Sequence, residues 1–245
     1  KDKPDANLFC SPFSVSTALG MTYAGARGET ARQMGEILRV QELGDRVHPA
    51  YGRLIAGVGA EKERKGYEVS VANALWGQKG HPWEKAFLDL TASAYQAPFQ
   101  EMDFGKAEAA CKMINEWCAR KTRDKITEIV GKDSVNDDTR LVLTNAVYFK
   151  GDWQKKFDKE KTVVGPFTTP SSAKVEANIM RQTEILPYME NEKFQALAMP
   201  YAGGDLSMVV LLPRNEKGLS ALEAWLTPEK LDEAVAELSP EAVEV

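Results

Sequence analysis

Histidine is almost missing from this chain, with only His48 and His81 in 245 residues. Each stands directly before a proline, a setting that reads as a solvated turn, so histidine-based acid–base or nucleophilic catalysis has little to work with. The sequence holds no Gly-x-Ser-x-Gly elbow, no His-Glu-x-x-His or Cys-x-x-Cys pair and no phosphate-cradling glycine loop. Neither a metal nor a cofactor is therefore implied. Cysteine is scarce as well. Cys111 and Cys118 sit on one predicted helix, about 10 Å apart along its axis and too far to bridge, while Cys10 is alone. All three read as small buried hydrophobes. No Asn-x-Ser/Thr sequon is present, and no apolar run approaches the roughly 18 residues that would span a bilayer. An excess of positive charge is lacking too: the net charge is −5, which excludes a general affinity for nucleic acid or an anionic membrane surface. The charged start Lys1-Asp2-Lys3-Pro4-Asp5 shows no signal peptide, as a mature or trimmed protein would not.

What is present is enough apolar residue, 43%, to bury a sizeable core, most simply as one domain over residues 1–245. Carboxylates are many but interleaved with lysines, as on solvated helix faces. The basic cluster Lys62, Arg64, Lys65 is diluted by Glu61 and Glu63 and reads as a solvated surface rather than a polyanion site.

The pattern along the chain is mixed α and β without repeats. A short strand over 7–10 runs into a helix that Ser11 can cap and whose first position suits Pro12. That helix is dense in small residues (Ser14, Ser16, Ala18, Gly20, Ala24, Gly25), which allow close approach of a neighbour. Further helices are predicted over 29–38, 45–61, 84–94 and from 107, the last with a stripe of Ala107, Ala110, Cys111, Ile114, Trp117 and Cys118. Strands are predicted over 67–78, 99–104 and 140–150, then a strand-rich stretch over 163–212 with its hairpin turn at 202–205. Two short helices follow, the second capped at Thr227-Pro228, and an alternating strand begins at Glu241. Helices, then strands, then helices imply an α+β fold.

The most informative segment runs from Leu141 to Trp153. It is rich in β-branched and aromatic residues yet places an amide, Asn145, in mid-strand. Left buried and unbonded, that amide would cost about 1–3 kcal/mol, so another element must partner it. The hydroxyls of the small-residue helix over 12–25 are candidates.

Asn7-x-x-x-Ser11-Pro12-x-Ser14, followed by Ala18-Leu19-Gly20-Met21 and Gly25-Ala26-x-Gly28-x-Thr30, resembles the N-terminal motif of the serpin family. Thr144-Asn145-Ala146-Val147-Tyr148-Phe149-Lys150-Gly151-x-Trp153 resembles the third strand of that family's sheet A. The likeness continues in register through Ala72–Trp76, Ile114–Trp117, Pro166-Phe167, Leu197–Tyr201, Leu206–Pro213 and Gly218-Leu219, covering residues 7–245. The run Trp76–Gly80 is similar to bacterial members.

The resemblance implies a serpin fold of three β-sheets with surrounding helices, truncated at both ends: the first family helix would precede Asn7, and the C-terminal strands and reactive loop would lie beyond Val245. It implies no enzyme but an extracellular or secreted suicide-substrate inhibitor of serine endopeptidases, or of cysteine proteases, whose cleaved loop inserts into sheet A. Ser11, Ser14 and Asn145 match the shutter, where the central strands part, and Trp153 matches the breach, where the loop first enters. The reactive bond is not in the chain. A C-terminal serpin segment is expected, as continuation or as a second chain, to cover sheet faces that would otherwise be exposed. Two other readings are a non-inhibitory serpin (chaperone, carrier or storage protein) and an unrelated α+β enzyme.

Overall fold

The computed structural model describes residues 7–59, 66–169, 173–215 and 218–245; the basic cluster Lys62, Arg64, Lys65 lies outside them. The described residues divide into two compact units, one of residues 8–59 and 68–150, the other of 7, 66–67, 151–169, 173–215 and 218–245.

The first unit begins with α1 (Pro12–Gly25) and α2 (Gly28–Leu38), then α3 (Val47–Gly59), β1 (Tyr67–Gln78), α4 (Lys85–Tyr95), β2 (Phe99–Met102), α5 (Ala107–Lys121) and β3 (Leu141–Gly151). Ser11 caps α1 as its sequence suggests: the hydroxyl accepts the Ser14 N–H at 3.2 Å, and Pro12 takes the first turn. The small residues of α1 serve close packing. A Cβ on Gly20 would lie 2.9 Å from the Tyr51 ring and 3.0 Å from the Tyr95 hydroxyl, so glycine alone fits there. Ser16 meets the Tyr51 hydroxyl at 2.7 Å.

The sheet of this unit has the order β2-β1-β3, with β1 and β2 parallel. Strand alternation sends β1 into two cores at once. Ala72, Ala74 and Trp76 pack with the predicted stripe of α5, joined by Ala146 of β3, and Trp76 meets Trp117 edge-on at 5.9 Å. Leu75 and Val71 face the opposite way, with Met21, Val47, Tyr51, Ile55 and Tyr95 from the helices and Leu141 and Leu143 from β3.

The second unit holds the hairpin β4 (Val163–Thr168) and β5 (Lys174–Ile179). It also holds an antiparallel sheet of order β8-β7-β6-β9, from β6 (Thr183–Glu190), β7 (Phe194–Pro200), β8 (Ser207–Pro213) and β9 (Ser239–Glu244). Helices α6 (Leu219–Trp225) and α7 (Pro228–Ala236) supply Leu222, Trp225 and Ala234 against Phe194 and Ala196. The turn that closes β7 and β8 has Gly203 at φ 104° and Gly204 at φ 80°, conformations only glycine adopts without strain.

Three expectations need correction. Residues 7–10 form no strand: they are unpaired, Phe9 is 98% exposed and Cys10 is exposed rather than buried. A strand needs a neighbour for its N–H and C=O groups, and none pairs with this segment among the described residues. His48 is not a turn residue. It stands in the first turn of α3, where Pro49 is tolerated because no intrahelical acceptor is required, and its Nδ1 meets the Tyr95 hydroxyl at 2.7 Å. His81 does lie in an exposed turn, against Trp83 at 4.8 Å.

Candidate functional site

Asn145 lies on the face of β3 that also carries Leu141 and Leu143, turned toward the helices. Its Nδ2 donates to Asn73 Oδ1 on β1 at 2.6 Å, and Asn73 Nδ2 donates in turn to the Tyr95 carbonyl at 2.8 Å. The expected bond from Asn145 to Ser11 or Ser14 is not made among the described residues. The Ser11 hydroxyl is held by its local cap bond, which satisfies an otherwise orphaned N–H of α1. A same-face amide on the adjacent strand takes the role given to the serines. Asn145 Oδ1 is buried and accepts no hydrogen bond among the described residues.

The tie continues into the helices. Tyr95, whose carbonyl receives Asn73, holds His48 through its hydroxyl. Burial raises the Tyr95 hydroxyl well above its ordinary value. Burial, and secondarily the charge of Arg27, lowers His48. On the other face of the sheet, Trp76 Nε1 donates to Thr144 Oγ1 at 3.0 Å, and that hydroxyl donates to the Ala74 carbonyl at 3.3 Å. Strands β1 and β3 are thus tied by side chains on both faces, at Asn73–Asn145 and at Trp76–Thr144.

Trp153 lies in the second unit. Its ring stacks on Tyr201 at 4.5 Å and 11°, and the two residues form an isolated antiparallel bridge. Main-chain bonds from Gln154 to Pro200 (2.9 Å) and from Ala202 to Asp152 (2.8 Å) hold the segment beside the end of β7. Trp153 as a whole is half-buried.

The residues that sequence reasoning passed over are therefore Asn73 and Tyr201. Asn73 repeats the signal that drew attention to Asn145, a polar amide inside an apolar strand, and could have been paired with it on that ground. Tyr201 carries no such signal, since an aromatic at a strand end is common. Among the described residues, no group of three or more His, Cys, Asp or Glu is placed to hold a metal ion. No helix among them is long and apolar enough to cross a membrane.

Among the described residues, three sheets, helices on the covered faces and a polar tie between β1 and β3 define the class as an α+β protein of serpin architecture. The family model described as serpin (serine protease inhibitor) matches residues 1–245, and the chain belongs to that family. It is 39% identical over 249 residues to the leukocyte elastase inhibitor of Bos taurus, covering 99% of this chain and 65% of that protein. Among solved structures it is similar to emu (Dromaius novaehollandiae) ovalbumin, with a TM-score of 0.92 and 27% identity over all of this chain and 67% of that one. Reaction-loop-cleaved lamprey angiotensinogen gives a TM-score of 0.88 at 28% identity, covering 99% of this chain and 71% of that one. The chain thus spans about 65% of the length of the first curated relative.

Proposed function

We propose that this chain is the N-terminal part of a single serpin domain that inhibits serine endopeptidases, and does not itself catalyse a reaction. The target protease cleaves an exposed loop outside the span of this chain, and the freed loop adds as a strand beside β3 and traps the acyl-enzyme. The observation that carries this reading is the position of β3 at the end of the order β2-β1-β3, an edge that carries no further strand among the described residues. The half-bonded state of Asn145 supports it. Its Nδ2 holds β3 to β1, and its Oδ1 would gain a donor from a neighbouring segment, recovering a penalty of about 1–3 kcal/mol.

In this reading Asn145 and Asn73 form the shutter tie, Ser11 and Ser14 act there by fixing the start of α1, and Trp153 with Tyr201 marks the breach. Cysteine proteases of similar reach belong to the same target class. A further serpin segment, continuous or as a second chain, would cover the apolar residues now exposed on the second unit's sheet, such as Ile185 at 71% and Leu212 at 57%. A non-inhibitory role is the second reading, supported by the likeness to ovalbumin, a protein not named as an inhibitor.

The test is incubation of the full-length parent polypeptide with elastase-, chymotrypsin-, trypsin- and subtilisin-like proteases. The proposal expects an SDS-stable covalent complex with at least one of them. Loop cleavage without any such complex favours the non-inhibitory reading.

A further inference from the structure

Strand β1 has a second open edge, distinct from that of β3. Leu75 N–H donates to the Pro98 carbonyl (3.1 Å) and Lys79 N–H to the Met102 carbonyl (2.8 Å), whereas Gln78 N–H donates to the Arg140 carbonyl (2.8 Å), just before β3. Odd-numbered residues of β1 therefore turn their main-chain groups toward β2 and even-numbered ones toward β3. Strand β2 pairs only with Leu75–Gln78. It cannot extend further back, because the next donor in the ladder would be residue 98, and proline has no N–H.

Val69, Val71 and Asn73 are thus left with main-chain N–H and C=O groups along an edge that carries no strand among the described residues, over about 13 Å at ~3.3 Å per residue. The edge has none of the usual protection: Val69-Ser70-Val71-Ala72-Asn73 contains neither proline nor a charged residue. A cavity of about 710 Å³ runs along it, and Trp117, Arg120 and Lys121 of α5 form part of its wall. No carboxylate lines this cavity, in a chain whose net charge is −5. Neither Arg120 nor Lys121 makes an ion pair among the described residues.

We propose that this edge accepts an extended acidic peptide segment of a partner protein as an added β-strand. Its main chain bonds to Val69, Val71 and Asn73, and its carboxylates lie against Arg120 and Lys121. The inference does not depend on the protease-inhibitor reading. The alternative role for the two cations is to complement the C-terminal dipole of α5, which would need no ligand.

Fluorescence anisotropy with a labelled peptide of alternating Glu and Val residues, added to the intact chain, separates the two. The expected result is saturable binding that weakens at least tenfold in the double variant Arg120→Glu/Lys121→Glu, with the variant's circular dichroism unchanged. A peptide of the same sequence with alternate amides N-methylated loses binding, and a Lys/Val peptide does not bind. Absence of saturable binding overturns the proposal. Equal binding of the N-methylated peptide also overturns it, since charge attraction alone would then suffice. Binding insensitive to the double charge reversal, as addition at the β3 edge would give, overturns it as well.

Discussion

Asn145 and Asn73 make unequal use of their amides, and their substitution should cost unequal amounts. Asn73 donates to the Tyr95 carbonyl and accepts from Asn145, whereas Asn145 makes one bond and keeps one acceptor unbonded. Asn145→Ala loses one bond and takes the donor from Asn73 Oδ1, but it also removes a penalised acceptor, for a net destabilisation of about 1 kcal/mol. Asn73→Ala strands the whole Asn145 amide and the Tyr95 carbonyl, for about 2–3 kcal/mol. Urea midpoints of the two variants check the order, and a larger loss for Asn145→Ala would contradict the tie as described. His48 adds a pH dependence. Its folded value is lowered from about 6.5, chiefly by burial, so the unfolded chain binds the proton more readily. Its contribution is complete above about pH 6.5 and is lost as pH falls below that toward the folded value. Melting temperature measured from pH 8 to 5 should fall on the acid side, and His48→Gln should flatten that fall. Asn145 was legible in the sequence as an amide in need of a partner. The partner was not, because it is 72 residues away and reaches Asn145 only through strand pairing. His48 was misread because a following proline marks a turn and the first turn of a helix equally well.

At the scale of elements, periodicity carried most of the fold. The 12-residue β1 stands over the predicted span 67–78, and the apolar stripe of α5 stands where 3.6-residue spacing puts it. What periodicity leaves out is polar pinning. Asn115 lies beside the α5 stripe, and its Oδ1 accepts from the N–H groups of Ile129 (2.9 Å) and Val130 (3.0 Å), while its Nδ2 donates to the Val130 carbonyl (2.9 Å). Cys111 adds a thiol bond to the Gly131 carbonyl at 3.2 Å. A sequence shows Asn115 only as one more polar residue on a helix, because its partners sit in an irregular segment without a pattern of its own. Asn115→Ala should free that segment, raising hydrogen exchange at Ile129 and Val130 at least tenfold while leaving Trp76–Thr144 protection intact. Unchanged exchange at those two amides would show that Asn115 does not hold the segment. The segment 7–10 teaches the opposite limit: its residues favour a strand, but propensity cannot supply the neighbour that a strand requires.

For the molecule as a whole, the family was legible because several motifs agree in order and spacing, and the α+β class followed from the succession of elements. The proposed shutter and breach assignments rest on matched positions; the geometry shows that Asn73 bonds Asn145 and that Tyr201 stacks on Trp153. Both contacts concern the same central claim, that β3 is one side of a sheet built to take in another strand. On the proposed reading, that sheet in the full-length parent is less stable before insertion than after it. The most direct test is the melting temperature of the parent before and after a single proteolytic cut in its exposed loop. The account predicts a rise of about 10 °C or more, the shift that several kcal/mol gives in a chain of this size or larger. A cut protein that melts at or below the temperature of the uncut one would contradict it.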